Sequence, residues 1–129
     1  MGKLPQAVQA LRSAIGLQPD FAGAHTTLAA VLKQQGNTQE ADEENRVANN
    51  IRETKMGIQA ANFVTNSGIK LLHAGDLDGA ISQFETAIKA FPGYIPAHQQ
   101  LAIALERAGH KGRSLEEIKI VEHLKHATK

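Results

Sequence analysis

The sequence contains no cysteine and no tryptophan, and it has a single tyrosine. The absence of cysteine excludes disulfides, thiolate metal sites and cysteine nucleophiles. The formal net charge is +1, with acidic and basic residues interspersed, so the chain lacks the concentrated basic face that usually contacts nucleic acid. No apolar run is long enough to span a bilayer. We therefore expect neither a nucleic-acid partner nor membrane insertion.

The N-terminal residues do not resemble a secretion signal. The localisation stays open between cytoplasm and periplasm, because a chain without cysteine suits either compartment. The first predicted helix, residues 5–18, looks like the second helix of a two-helix repeat unit, as the pattern described below indicates. We therefore expect the chain to be a piece of a longer protein.

Glycine and alanine carry the most informative pattern. Gly36, Gly75 and Gly109 each follow an apolar helical stripe, and they are spaced 39 and 34 residues apart. A recurrence at this period indicates stacked helix–turn–helix units. The longer first interval indicates a five-residue insertion in one unit.

Apolar spacing and helix-ending residues predict the helices. Pro5 suits a first helical turn, and Pro19 ends the helix before it. We predict helices at 5–18, 22–35, 59–74 and 113–126, with others after Thr38, between Gly75 and Phe91, and from Pro96. Residues 49–60 contain no proline, so the helix after Thr38 either breaks near Lys55–Gly57 or fuses with the next one.

These residues resemble the tetratricopeptide repeat (TPR) family over nearly the whole chain. The first helix of each unit in that family has a small residue followed by a large one, and the second helix has two alanines and a final proline. The small positions hold Ala29, Gly68 and Ala102, and the large ones hold Leu32, Leu71 and Leu105. The alanine positions hold Ala7, Ala41 and Ala80, then Ala14, Ala48 and Ala87, and the proline positions hold Pro19 and Pro92.

The resemblance implies an all-α superhelix (solenoid) of antiparallel helix pairs, with about three and a half TPR units in a single domain, 1–129. The expected division is a partial unit at 1–21, a unit with an extended second helix at 22–57, a unit at 58–94 and a C-terminal unit at 95–129. Asn45 and Ser67 depart from the family pattern. We therefore expect a kink, a hinge or an exchange between subunits where the second and third units meet.

By resemblance, the first helices line a concave groove that binds a protein or peptide. The residues expected to form this partner-binding groove are Thr27, Lys33, Asn62, Thr65, Asn66, Ile69, His73, Gln99, Gln100, Ile103 and Arg107. Amide side chains can both donate to and accept from a peptide backbone. The family's clamp for chaperone carboxylate tails matches only at Asn66, which argues against that ligand.

The partial first unit suggests a different use of the chain. Its helix has no first-helix partner, so we expect Leu4, Val8, Leu11 and Ile15 to mediate self-association.

Other chemistry has little support in the sequence. His123 and His126 share one helix face and His25 and His98 occupy equivalent packing positions, but no further ligands are spaced to complete a metal site. Ser67 and Ser82 have no suitably spaced histidine and acid. Residues 75–79 resemble a calcium loop but lack its remaining ligands. We predict a non-catalytic interaction scaffold without cofactor or metal, with a self-associating homodimer or array and a regulatory domain of a larger enzyme as alternatives.

Overall fold

The computed structural model describes residues 3–127, and within this range the chain folds into six α-helices. The helices are α1 (Leu4–Leu17), α2 (Ala22–Gln34), α3 (Thr38–His73), α4 (Leu77–Ala90), α5 (Ile95–Arg107) and α6 (Lys111–Ala127). The predicted all-α fold of antiparallel helix pairs is confirmed. The chain divides into two compact units: the N-terminal unit, up to Lys55, and the C-terminal unit, from Met56 onward.

The three marker glycines end helices α2, α3 and α5. Gly36, Gly75 and Gly109 have φ angles of +85°, +88° and +89°, a left-handed conformation that only glycine adopts without strain. After each glycine, the next amide donates to the carbonyl five residues earlier, as from His110 to Leu105 at 2.8 Å. This pattern satisfies carbonyls left unpaired at the helix end. The glycine period therefore marks tight turns, as the sequence predicted.

The N-terminal unit packs a small aliphatic core. Leu28 and Leu32 of α2 are buried together with Ala29 and with Ala41 at the start of α3. Alanine at these positions lets the helix axes approach closely. The half-buried side chains that close this core come from α1 and are Val8, Leu11 and Ile15.

The C-terminal unit has a larger core centred on Phe84 of α4. Phe84 is fully buried with Leu72 of α3 and with Leu101 and Leu105 of α5. A Cβ atom on Gly68 would lie 2.5 Å from Cε1 of the Phe84 ring. Because this glycine has no side chain, the ring can occupy the space directly against the α3 backbone.

Helix α3 runs without a break from Thr38 to His73, over 36 residues. Of the two alternatives for residues 49–60, the structure shows the fused helix. The expected boundary between the second and third repeat units, at 57/58, falls inside this helix. Residues 49–56 contain neither proline nor glycine, so nothing in them stops the helix. Gly57 lets the end of α4 approach α3 closely, because a Cβ atom there would lie 2.8 Å from the Ala90 carbonyl oxygen.

Candidate partner-binding surface

The outer face of α3 in the C-terminal unit presents polar side chains. Asn62, Asn66 and His73 are exposed, and they recur at helical spacing together with the half-buried Ile69. The Tyr94 hydroxyl donates a hydrogen bond of 2.9 Å to Oδ1 of Asn62. This bond fixes the orientation of one amide at the edge of the surface.

Helix α5 continues this polar face. Arg107 is exposed and Gln100 is half-buried, and they follow His73 and Asn66 by 34 residues, one repeat period. Gln99 and Ile103 are exposed as well, but they line a groove toward α6. The candidate site in this unit therefore consists of a polar face shared by α3 and α5, and the two residues directed toward α6 lie beside it.

Thr65 does not lie on this surface. Its side chain is only 2% exposed, and its hydroxyl has no hydrogen-bond partner. It lies four residues after Ala61 and seven before Leu72, both buried, so it shares the inward face of α3. The prediction that it contacts a partner in the groove conflicts with this burial.

The expected groove residues of the N-terminal unit are accessible. Thr27 and Lys33 are both exposed on α2, and the Thr27 hydroxyl donates to the Gly23 carbonyl at 2.9 Å. The neighbouring Thr26 hydroxyl accepts a bond of 2.9 Å from Arg52 of α3. The two threonine hydroxyls on this face thus already have partners within the unit.

The apolar stripe expected to mediate self-association lies within the N-terminal unit. Val8, Leu11 and Ile15 pack against the α2–α3 core, and Leu4 is half-buried. A different residue of α1, Leu17, is 90% exposed. Self-association through this stripe stays a prediction. A second copy could contact only the parts of these side chains that the core of the N-terminal unit leaves exposed.

An apolar groove between α5 and α6 was not anticipated from the sequence. It has a volume of about 240 Å³. The residues that line it are Gln99, Ala102, Ile103, Glu106, Ser114, Ile118 and Val121. Ser114 of the groove is buried and donates from its hydroxyl to the Ala102 carbonyl at 2.8 Å, which holds α6 against α5. We call these lining residues the α5–α6 groove.

Two buried histidines make the same pair of bonds in the two units. In the N-terminal unit, Nδ1 of His25 lies 2.6 Å from Oε2 of Glu44, and Nε2 lies 2.8 Å from the Pro19 carbonyl oxygen. In the C-terminal unit, the corresponding distances from His98 are 2.6 Å to Glu117 and 2.7 Å to Pro92. We call each arrangement a histidine clasp, because it ties a loop and two helices together.

The N-terminal clasp favours a protonated ring. Burial alone would lower the pKa of His25, but the hydrogen bonds to Glu44 and to the Pro19 carbonyl, with the attraction of the carboxylate, outweigh it and raise the pKa above 6.5. A carbonyl oxygen can only accept, so Nε2 must donate, and a protonated Nδ1 donates to the carboxylate. Both ring nitrogens of His25 are therefore occupied by hydrogen bonds within the N-terminal unit.

The remaining histidines considered as ligands are on the surface. His123 and His126 are exposed on α6. Within residues 3–127, no group of three or more metal-binding side chains comes together. None of the helices in that range is long and apolar enough to cross a membrane.

The fold resembles that of MamA, a helical-repeat protein. One crystal structure of MamA matches with a TM-score of 0.52 at 18% identity, covering 98% of this chain and 91% of MamA. A structure designated MamA MSR-1 matches with a TM-score of 0.52 at 20% identity, covering 99% and 71%. This chain spans only 64% of the length of another MamA structure. The similarity shows a helical-repeat fold.

No family model matches the sequence, and no curated protein matches it.

Proposed function

We propose that this chain is a non-catalytic scaffold of the TPR kind, which binds a protein or peptide along the exposed face of its first helices. The observation that carries the proposal is the polar face of α3 and α5, where Asn66 and Gln100 lie one repeat period apart. Amides at this spacing can pair with the backbone of a bound segment at two successive points. The helical-repeat fold supports the same function.

The chemistry of this face favours a largely uncharged contact. Ile69 lies between Asn66 and His73 on α3, so a bound segment can bury apolar atoms against it while the amides satisfy the backbone of that segment. Arg107 is the cation of this face on α5 and can pair with an acidic side chain of the partner. No catalytic role is proposed for any residue.

The proposal is tested by removing the polar groups without disturbing the core. The variant replaces four residues by alanine: Asn62, Asn66, Gln100 and Arg107. The matched control replaces four exposed residues of α4 by alanine: Ser82, Glu85, Thr86 and Lys89. Affinity capture from a lysate of the source organism, followed by mass spectrometry, should identify proteins that the wild type and the control retain and the first variant loses. Equal retention by all three proteins would refute the use of this face.

A second function, self-association, is favoured by the exposed apolar residues of the N-terminal unit. Leu17 is 90% exposed, and Phe21 in the following turn is also exposed. Covering two large apolar side chains contributes about 1.5–3 kcal/mol each. Light scattering across a hundredfold range of concentration should show a mass that increases for the wild type and not for Leu17→Ser. A constant monomer mass would rule out this function.

A further inference from the structure

Two large apolar side chains on one face of α3 are exposed. Met56 is 68% exposed and Phe63 is 77% exposed. They are seven residues apart, which is two helical turns, so their side chains project in the same direction. Ala60, which lies between them on this face, is exposed as well. Neither function proposed above uses this face, yet grouped exposed apolar residues mark an interaction surface.

The face extends by one turn at each end. Its residues are spaced alternately three and four positions apart, which is the pattern of a coiled-coil seam. We call the following six residues of the continuous helix α3 the α3 seam: Glu53, Met56, Ala60, Phe63, Ser67 and Lys70. All are exposed except Ser67, which is half-buried. Helical spacing places the seam apart from the polar face and from the buried side of α3.

The apolar residues of the seam follow an order that is complementary to itself. When two copies of α3 run antiparallel with Ala60 opposite Phe63 of the second copy, Met56 lies opposite Ser67. Each large side chain then faces a small residue, and this alternation lets closely packed helices interdigitate. A two-fold axis repeats both contacts, so the two copies contribute identical surfaces.

The charges at the two ends of the seam fit the same register. Glu53 of each copy lies opposite Lys70 of the other, so opposite charges meet at both ends. Neither side chain forms an ion pair within residues 3–127. A parallel pair would instead place Glu53 against Glu53 and Lys70 against Lys70. Because like charges that face each other oppose association, the order of charges selects the antiparallel pair.

This order also identifies the occupant of the seam. A second copy of α3 supplies the small, large and charged residues in the matching order, whereas an unrelated helix would have to meet each of these requirements independently. We infer that two copies of this chain associate through their α3 seams as an antiparallel helix pair with two-fold symmetry. The contact is separate from the one proposed for Leu17 and Phe21, and it does not rest on that proposal.

The pairing is tested in the Leu17→Ser background, which removes the other contact proposed for self-association. Light scattering should give the mass of two chains at both ends of the concentration range. Adding Phe63→Asp should lower this to the mass of one chain, because it places an unpaired charge at the centre of the contact. Leu115→Asp, at an exposed apolar position of α6, is the matched control and should keep the mass of two chains. A single-chain mass for the Leu17→Ser protein would refute pairing through α3.

Charge exchange in the same background tests the register. Glu53→Lys and Lys70→Glu each place like charges opposite each other at both ends, so each should weaken association about fivefold in fluorescence-detected sedimentation. Mixing the two variants makes opposite charges meet again and should restore the original affinity, as should combining both substitutions in one chain. Both positions are exposed, so this test holds even if Phe63→Asp loses its helical circular dichroism. Single variants that associate as tightly as the parent protein would overturn the register.

Cross-linking reads the orientation directly, because the chain contains no cysteine of its own. On mild oxidation, Glu53→Cys mixed with Lys70→Cys should form a disulfide-linked pair, whereas either variant alone should form little. Predominant cross-linking of Glu53→Cys with itself would indicate a parallel pair and overturn the inference. If Leu17→Ser is monomeric while the wild type associates, pairing through α3 fails and the self-association proposed above stands.

Discussion

At the scale of single residues, the fold depends on a few positions where the size of one residue determines whether a neighbouring side chain fits. The Phe84 ring fits against α3 only because residue 68 is glycine. Gly16 of α1, in contrast, has no atom within 4 Å of the place where a Cβ atom would be. Both glycines lie inside helices, so their replacement by alanine separates steric crowding from helix propensity.

Gly68→Ala should destabilise the chain by about 1–3 kcal/mol, because the added methyl group crowds Phe84 in a packed core. Gly16→Ala should instead stabilise it by up to about 1 kcal/mol, since alanine is the better helix former. Urea unfolding followed by circular dichroism measures both free energies of unfolding. Equal effects of the two substitutions would contradict the close packing of Phe84 on α3.

The His25 clasp makes stability depend on pH. The folded state raises the pKa of His25 above 6.5, so the native chain binds this proton more tightly than the unfolded chain. The stabilisation is therefore complete below pH 6.5 and is lost as the pH rises through the raised pKa. Melting temperatures between pH 5.5 and pH 8.5 should fall across this window by more in the wild type than in Glu44→Gln.

Glu44→Gln should cost about 1.5–3 kcal/mol at the acid end of this range, because it removes a hydrogen bond between charged groups. Glu43→Gln is the matched control: Glu43 is exposed on the same turn of α3 and should leave the pH dependence unchanged. A wild-type pH profile identical to that of Glu44→Gln would exclude a role for the clasp carboxylate.

At the scale of the elements, α3 is the most unusual feature. It joins the second helix of one repeat to the first helix of the next, although a repeat array is expected to have a non-helical turn between these two helices. Elsewhere the corresponding connections contain Pro19 or Pro92, which end the preceding helices. The segment 49–58 lacks such a residue, so the helix propagates.

Hydrogen exchange tests this continuity. Amides of residues 50–60 should be protected in the wild type, as in a helix interior, with no fast-exchanging group at Lys55–Gly57. Thr54→Pro should cost about 3 kcal/mol or more and release protection over the preceding turn, because proline removes a donor and clashes with the carbonyl four residues earlier. Thr54→Ala provides the control and should retain protection. Rapid exchange of 50–60 in the wild type would contradict a single helix.

At the scale of the whole molecule, the cores of the two units differ in the size of their buried apolar side chains. The N-terminal core is built from two leucines and two alanines, whereas the C-terminal core contains Phe84 with three leucines. Larger buried apolar area gives greater local stability. The N-terminal unit should therefore be the first to open.

Hydrogen exchange under native conditions should show faster exchange in α1 and α2 than in α4 and α5. Leu28→Ala should cost about 2–5 kcal/mol and accelerate exchange in α1 and α2 while leaving α5 unaffected. Leu105→Ala is the counterpart and should act on the C-terminal unit. Uniform acceleration along the chain by either substitution would indicate a single cooperative unit instead.

The sequence predicted those features that depend on neighbouring residues. The turns at Gly36, Gly75 and Gly109, the small residues at the helix contacts and the burial of His25 and His98 all follow from local pattern and repeat period. The sequence does not determine whether α3 is continuous, because helix propensity alone does not decide between two helices and one.

The candidate surfaces were harder to predict because burial depends on distant elements. Repeat position predicts that Thr65 lies on the surface, yet the packing of its unit buries it. The α5–α6 groove was missed for the converse reason: its apolar residues look like core residues until one sees that no described helix lies over them.

The residues of the histidine clasp occur in this chain as a set. Its three residues recur together after 73 positions, Pro19 with Pro92, His25 with His98 and Glu44 with Glu117. In the intervening repeat the same positions hold Ile58, Val64 and Gln83. The three residues thus occur together in two repeats and are all different in the third, which fits the physical requirement that a buried imidazole has hydrogen-bond partners. Transplanting the clasp into another repeat array would accordingly require the histidine, the glutamate and a loop whose backbone carbonyl oxygen faces the ring.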